Sequence, residues 1–355
     1  MSLRSLLRKE VYWSRRNLLT LLLVLCIVPG FLAASSVLFQ DVIPRDSPVA
    51  VVPGSEDVTE AELVTVEAGL SFFAEPVPMD SRETAVAALE REDVYAVVEV
   101  PHGIRDAGRD VTFRLYVDGS MVPFKEPSET IASVMQGELN ERLDATVTVE
   151  RVIVGNSHDL SGYLIPIVLV ALVMLVAFTY VPYNLAGERH VLDRVRLDAS
   201  LEALVAAKLL FFTALMTVPI VVFHVVMQGL GYDISAIAPG TVLTLLLTFV
   251  TLAAIAMAVV VATRFATVGR FVNVLFLLYV VGFSGLAYPA GYFSELRKAI
   301  IRATPTHYAT VIVRSTMLRE LPVGIFTDWL LGLGLLALAS FALLELAIVF
   351  YRRST

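Results

Sequence analysis

Six stretches of this chain, 18–39, 163–183, 204–228, 241–263, 272–289 and 326–351, are long, apolar and nearly free of charge. Crossing a bilayer takes about 20 apolar residues in a helix, because only a helix satisfies its own backbone where no water reaches. Six such stretches in 355 residues, with 57% hydrophobic composition, exclude a soluble globular protein. They predict a polytopic α-helical membrane protein with six transmembrane helices.

The charge between and beside these stretches predicts how they are threaded. Residues 40–161 hold 24 of the 34 acidic and 9 of the 27 basic residues, while the rest of the chain is net basic. This pattern predicts an acidic soluble domain, 40–162, inserted between helices one and two. Residues 1–17 carry Arg4, Arg8, Lys9, Arg15 and Arg16, with Leu3, Leu6, Leu7 and Val11 near one face. They predict an interfacial helix on the cytoplasmic leaflet, where anionic headgroups attract bases. A signal peptide cleaved near Ala33 to Ser35 is the alternative; the apolar run continues through Phe39, which favours a retained span. Both termini are then cytoplasmic, in the cell membrane, with loop 184–203 inside and residues 40–162 and 290–325 outside. Arg264, Arg270, Arg352 and Arg353 agree with this threading, whereas Arg297, Lys298, Arg302, Arg314 and Arg319 run against it. We expect the last outer loop to form an amphipathic hairpin at the surface, broken at Pro305.

Within 40–162 the hydrophobic period alternates between strand and helix. VAVV at 49–52, YAVVEV at 95–100 and VTFRLYVD at 111–118 read as strands. Thr59 with Glu62 forms a capping box before Leu63, Val66 and Leu70. Asp80 with Glu83 marks a second helix, and Pro127 opens a third with Ile131, Met135, Leu139 and Leu143 on one face. A small α/β domain with one mixed sheet follows. Cys26 is the sole cysteine, so this chain forms no internal disulfide.

Chemistry-bearing motifs are sparse. There is no GxxxxGK[ST] phosphate cradle and no HExxH, and the five histidines are scattered. His224, Asp328 and Glu345 fall toward the ends of spans, which counts against an ion-coupled transporter with midplane charges. Gly282-Phe283-Ser284-Gly285 matches the GxSG of rhomboid-like intramembrane serine proteases, but the last span carries no histidine to take the serine proton. We expect no catalytic, cofactor-binding or metal site in this chain, and no nucleic-acid partner.

The most charge-dense membrane link is GERHVLDRVRLDASLEALVAAK, residues 187–208. Glu188, Arg189, Asp193, Arg194, Arg196, Asp198, Glu202 and Lys208, nearly balanced in sign, are interspersed with Leu192, Val195, Leu197 and Leu201. A lipid anchor would be mostly basic. Mixed signs with apolar anchors suit a protein partner. A plain connector between two spans fits equally well on these residues alone.

Further residues carry a resemblance. Tyr163-Leu164-Ile165-Pro166 opens the second span; Gly187-Glu188-Arg189 precedes Lys208; Gly285, Pro289, Pro305, Tyr308 and Arg314 precede the last span; and YAVVEVPHGI ends a strand of the soluble domain. Taken in this order they resemble permease subunits of ATP-binding-cassette exporters of the second type, the family with drug, polysaccharide and sodium exporters. Val191-Leu192-Asp193 departs from the family's Gly-Thr-Leu, and Ala207 from its Gly before the lysine. The resemblance implies an efflux permease that works as a dimer, with a second copy or a paralogue. A separate ATPase subunit binds the ATP, and Glu188, Arg189, Asp193, Arg194, Arg196, Glu202 and Lys208 form the coupling interface. It implies an outer gate hairpin containing Pro289, Pro305, Tyr308 and Arg314. The alternatives are a membrane-embedded sensor or scaffold whose outer domain binds a ligand, and the rhomboid-like protease.

Overall fold

The computed structural model describes residues 47–72, 74–143, 145–190, 200–286 and 288–353. The expected interfacial helix 1–17, the first span 18–39 and Asp193, Arg194 and Arg196 lie outside the described residues.

Residues 47–154 form an α/β region around one five-stranded sheet. The strands are β1 (Ser47–Pro53), β2 (Ala74–Pro78), β3 (Ala96–Val100), β4 (Asp110–Asp118) and β5 (Thr146–Val154). Their order is β2-β1-β3-β4-β5, parallel throughout except for the β3/β4 pair. β1 and β3, two of the three inner strands, are buried on both faces, which is why they read as continuous apolar runs; β4, the third, alternates buried and exposed over its first half. Odd residues of β1, Val49 and Val51, face α1 (Glu60–Leu70) and α3 (Lys125–Arg142). Even residues, Ala50 and Val52, face Ala85 and Leu89 of α2 (Arg82–Glu90). The cap of α2 is Ser81, whose Oγ accepts from the Thr84 amide at 3.2 Å, rather than Asp80 as expected. β2 and β5 escape the sequence pattern because both are edge strands: β2 contains two prolines, and β5 is only partly buried.

Glu62 ties this region together. Its Oε2 accepts from the Thr59 amide (2.8 Å) and hydroxyl (2.9 Å), and its Oε1 from the Gly103 and Ile104 amides (2.7 and 3.2 Å). One carboxylate thereby caps a helix and holds the loop that follows β3.

Past β5, five residues lead into α4 (Leu160–Gly187), the first of four described helices long and apolar enough to cross a membrane. The others are α5 (Leu201–Gly229), α6 (Pro239–Ala262) and the last, which extends through Val323–Arg353 and whose regular part is Thr327–Arg353. α7 (Thr267–Phe283) is apolar but shorter. It ends six residues before the expected limit at Pro289, because Gly285 turns left-handed (φ +66°) and breaks the run. α8 (Glu295–Ala303) and α9 (Pro305–Leu318) form the hairpin between α7 and the last helix, α10 (Thr327–Arg353).

α6 is the centre of the bundle: 67% of its most apolar window is buried, against 22% in α5. Ala253, Ala254, Ala256 and Ala258 let neighbouring backbones come close. The hydroxyls of Thr244, Thr248 and Thr251 donate to carbonyls four residues earlier, so they need no partner from another helix. Two helices are irregular for identifiable reasons. α5 breaks at Met216, where Pro219 cannot donate to the Leu215 carbonyl. α4 contains Pro166 and a π-helical turn at Val176–Tyr180.

α9 differs from expectation. It was expected to be amphipathic and at the surface, yet from Ala309 through Leu318 every residue is buried. Its apolar residues pack on α4, α6 and α10, and its arginine reaches into the α/β region rather than into water.

We predict that Glu62→Gln lowers the stability of the α/β region by about 1–3 kcal/mol, since a charge-assisted set of four hydrogen bonds is lost. Burial pushes the Glu62 carboxyl up, but the Thr59 and Gly103–Ile104 donors outweigh it and hold it at about 2. This contribution is complete above the ordinary value of 4.5 and fades as pH falls toward 2. Thermal melts at pH 7, 4 and 3 should converge for parent and variant as the acid limit is approached; parallel curves at every pH would contradict this.

Candidate functional site

The turn after α2 reads Glu90-Arg91-Glu92-Asp93, and it is the plug by which the α/β region enters the helical region. Glu92 adopts a left-handed backbone (φ 59°), which costs a non-glycine residue about 1–2 kcal/mol. The return is its carboxylate, 2% exposed, delivered against α9. Arg314 Nη1 donates to both Glu92 oxygens at 2.9 Å, and its Nη2 donates to the carbonyls of Gly285 (3.1 Å) and Leu286 (3.0 Å). The Tyr163 ring lies 5.1 Å from the same guanidinium. Arg319 adds a second cation: it pairs with Glu92 at 3.3 Å and with Asp118, and donates to Ser120 Oγ at 2.9 Å and to the Glu90 carbonyl at 2.5 Å. Burial pushes the Glu92 carboxyl up, and the Arg314 and Arg319 charges more than reverse it, so it stays ionised.

The contact extends on both sides. Arg91 pairs with Asp328 at 2.7 Å, donates to the Ile325 carbonyl at 3.0 Å and lies 4.6 Å over the Trp329 ring. Tyr95 Oη accepts from the Gly291 amide at 3.0 Å, and Ser47 Oγ donates to the Gly291 carbonyl at 3.2 Å. A Cβ on Gly291 would sit 2.1 Å from the Tyr95 ring, so only glycine permits this approach. The His158 ring is 2.9 Å from the Leu318 carbonyl.

Residues spread over half the chain thus converge. Arg314 of the expected gate hairpin, Gly285 of the pattern before the last span and Tyr163 of the Tyr-Leu-Ile-Pro stretch share one contact set. Pro305 opens α9, and Pro289 precedes the short 3₁₀ turn Ala290–Tyr292. Tyr308 packs edge-on against Trp329, 5.0 Å between centroids. The sequence reading missed Glu92, although four consecutive charged residues between a helix and a wholly buried strand were its signal.

At the far end of the bundle, Lys208 Nζ pairs with Glu188 at 2.7 Å and donates to Asn184 Oδ1 at 2.5 Å. It clamps the end of α4 to the first turns of α5. Glu202 pairs with Arg352 at the end of α10. Arg189 is exposed and makes no ion pair among the described residues. Of the seven expected coupling residues, the structure joins Glu188 to Lys208, brings Glu202 to Arg352 instead, and leaves Arg189 facing solvent.

The serine of the GxSG stretch is not activated. Ser284 is fully buried and donates to the Val281 carbonyl at 3.2 Å, and His307, on α9, makes no hydrogen bond to it. Burial pushes the His307 imidazole down to about 4, against the pull of the Glu92 charge, so it is neutral near pH 7.

A bundle of membrane-length apolar helices, with an α/β region keyed into one end by buried ion pairs, defines a multi-pass membrane protein. The family model described as "ABC-2 family transporter protein" matches residues 15–351, and the chain belongs to that family as an ABC-2 type permease. None of the curated proteins or solved structures compared with it matches.

We predict that Arg314→Met destabilises the protein by about 3–5 kcal/mol, because Glu92 and two backbone carbonyls are left buried without their donor. Arg314→Lys recovers little of this, since an ammonium cannot span the carboxylate and both carbonyls as the planar fork does. Thermal unfolding in detergent, followed by loss of monodisperse protein, reads the effect. A melting temperature unchanged in both variants would contradict the central place given to this pair.

Proposed function

We propose that this chain is the membrane-spanning subunit of an ATP-driven exporter in the cell membrane, paired with a second permease and worked by a separate ATPase. The observation that carries the reading is the family match over nearly the whole chain, 15–351. In this reading the chain crosses the membrane six times with both termini cytoplasmic, and the α/β region is an extracytoplasmic domain inserted between the first two spans. ATP is bound and hydrolysed on the partner.

The charge-dense link 187–208 is then the surface the ATPase moves. What supports it is mechanical. Lys208 holds Glu188 and Asn184, so the two ends of the link are fixed to α4 and α5 at one point. Glu202 holds Arg352, which adds α10. A push on the link therefore acts on three helices together. The hairpin of α8 and α9 caps the pathway at the opposite end, with Arg314 as its anchor.

Two measurements test this. Glu188→Ala combined with Arg194→Ala should abolish cargo-stimulated ATP hydrolysis by the purified complex while changing the permease's own stability by less than about 1 kcal/mol, as expected for loss of the part-exposed Glu188–Lys208 pair. Stimulated hydrolysis equal to the parent's would remove the link from the coupling path. Cysteines placed singly along α8 should also change their labelling rate with a membrane-impermeant maleimide when the ATPase is trapped with nucleotide. Rates indifferent to the trap would count against a gate there.

A further inference from the structure

Beside the Glu92 plug, the α/β region and the helical region leave a polar cleft of about 420 Å³ between them. Glu75, Arg91 and Asp93 line it from the sheet side, and Arg302, His307, Tyr308 and Trp329 from the helical side. Its ionised groups are unequally occupied. Arg91 is spent on Asp328 and the Ile325 carbonyl, and Glu92 on Arg314 and Arg319. Asp93 and Glu75 are about half exposed, and their nearest cations, Arg91 and Lys298, stand at 3.5 Å, the outer limit of a hydrogen bond, so both carboxylates keep acceptor capacity. Arg302 is exposed and makes no ion pair among the described residues. His307 is buried and its ring makes no hydrogen bond among the described residues, leaving a neutral imidazole on the wall.

The free capacity is therefore two loosely held carboxylates and one unpaired guanidinium, beside an aromatic wall of Tyr308 and Trp329. A simple anion would meet Asp93 and Glu75; a simple cation would meet Arg302 and Arg91. No group of three or more metal-ligating side chains is found among the described residues. A molecule carrying both signs satisfies all of these groups at once, and the volume is within the range of small-molecule sites. We propose that this cleft binds a small zwitterion, its ammonium on Asp93 and Glu75 and its anionic group on Arg302, with its carbon skeleton against Tyr308 and Trp329. Such chemistry is offered by a free phosphoamine and equally by an ethanolamine lipid headgroup. Either occupant would bridge the two regions at their joint.

The test uses the full-length protein with Trp13→Phe, which leaves Trp329 as the one tryptophan. O-Phosphoethanolamine is titrated in detergent, with ethanolamine and inorganic phosphate as half-ligands. Tryptophan emission is also compared in nanodiscs of phosphatidylethanolamine and of phosphatidylglycerol. We expect a saturable change with the zwitterion, shifted at least about tenfold to higher concentration in Asp93→Asn and in Arg302→Gln, and about as weak for either half-ligand. Both substituted side chains are exposed, and unchanged melting temperatures confirm that the variants fold. A change confined to phosphatidylethanolamine nanodiscs and lost in both variants assigns the site to a lipid headgroup. Flat emission with every probe, equal binding of one half-ligand, or indifference to both substitutions overturns the proposal.

Discussion

The buried pair of Arg314 and Glu92 is the contact on which the arrangement of the two regions depends. A guanidinium and a carboxylate withdrawn from water are each costly, and they persist because nearly every polar atom around them is answered. Arg314 gives one amino group to Glu92 and the other to the backbone carbonyls of Gly285 and Leu286, just past the end of α7. The left-handed turns at Glu92 and at Gly285 serve the same contact from opposite sides. Arg314, Arg319 and Arg91 each bond partners on the opposite region, so polar matching fixes how sheet and bundle meet here. Burial keeps Arg314 and Glu92 sensitive to any shift of α9, because a small displacement exchanges good hydrogen bonds for an exposed desolvation cost.

Much of the scaffold was legible in the sequence because it follows from period and composition. β1 and β3 are apolar on both faces and sit in mid-sheet; α1 begins at the Thr59–Glu62 box; the helices of the bundle fall near the long apolar runs. What escaped depends on tertiary context. β2 holds two prolines, a composition that argues against a strand, and is tolerated only at an edge. α9 looked like a surface helix because Arg314 and polar residues interrupt it, yet a single buried carboxylate from another region neutralises its arginine. Glu92 itself lies 222 residues from its partner, and nothing local to either announces the pair.

The expected sites were legible to different degrees. Tyr163, Gly285 and Arg314 were picked out as separate motif residues, and the structure places them within one set of contacts. Glu188 and Lys208 were expected to face a partner, and they bond each other first. An ion pair across the ends of a loop and an ion pair to another chain use the same residue types, so sequence composition cannot distinguish them. Residues that shape a protein's inner geometry and residues offered outward differ in what surrounds them, and that is a property of the fold.

The five-residue connection from β5 to α4 has a mechanical meaning. Asp159 caps α4 by accepting from the Gly162 amide at 2.8 Å, and the neighbouring His158 is held at the end of α9. With so little slack, a rotation of α4 about its axis loads the buried contacts that tie the α/β region to α9 and α10. The link thus makes the end of α4, the sheet and the end of α9 a single joint, in which the turning of one helix is felt by all three.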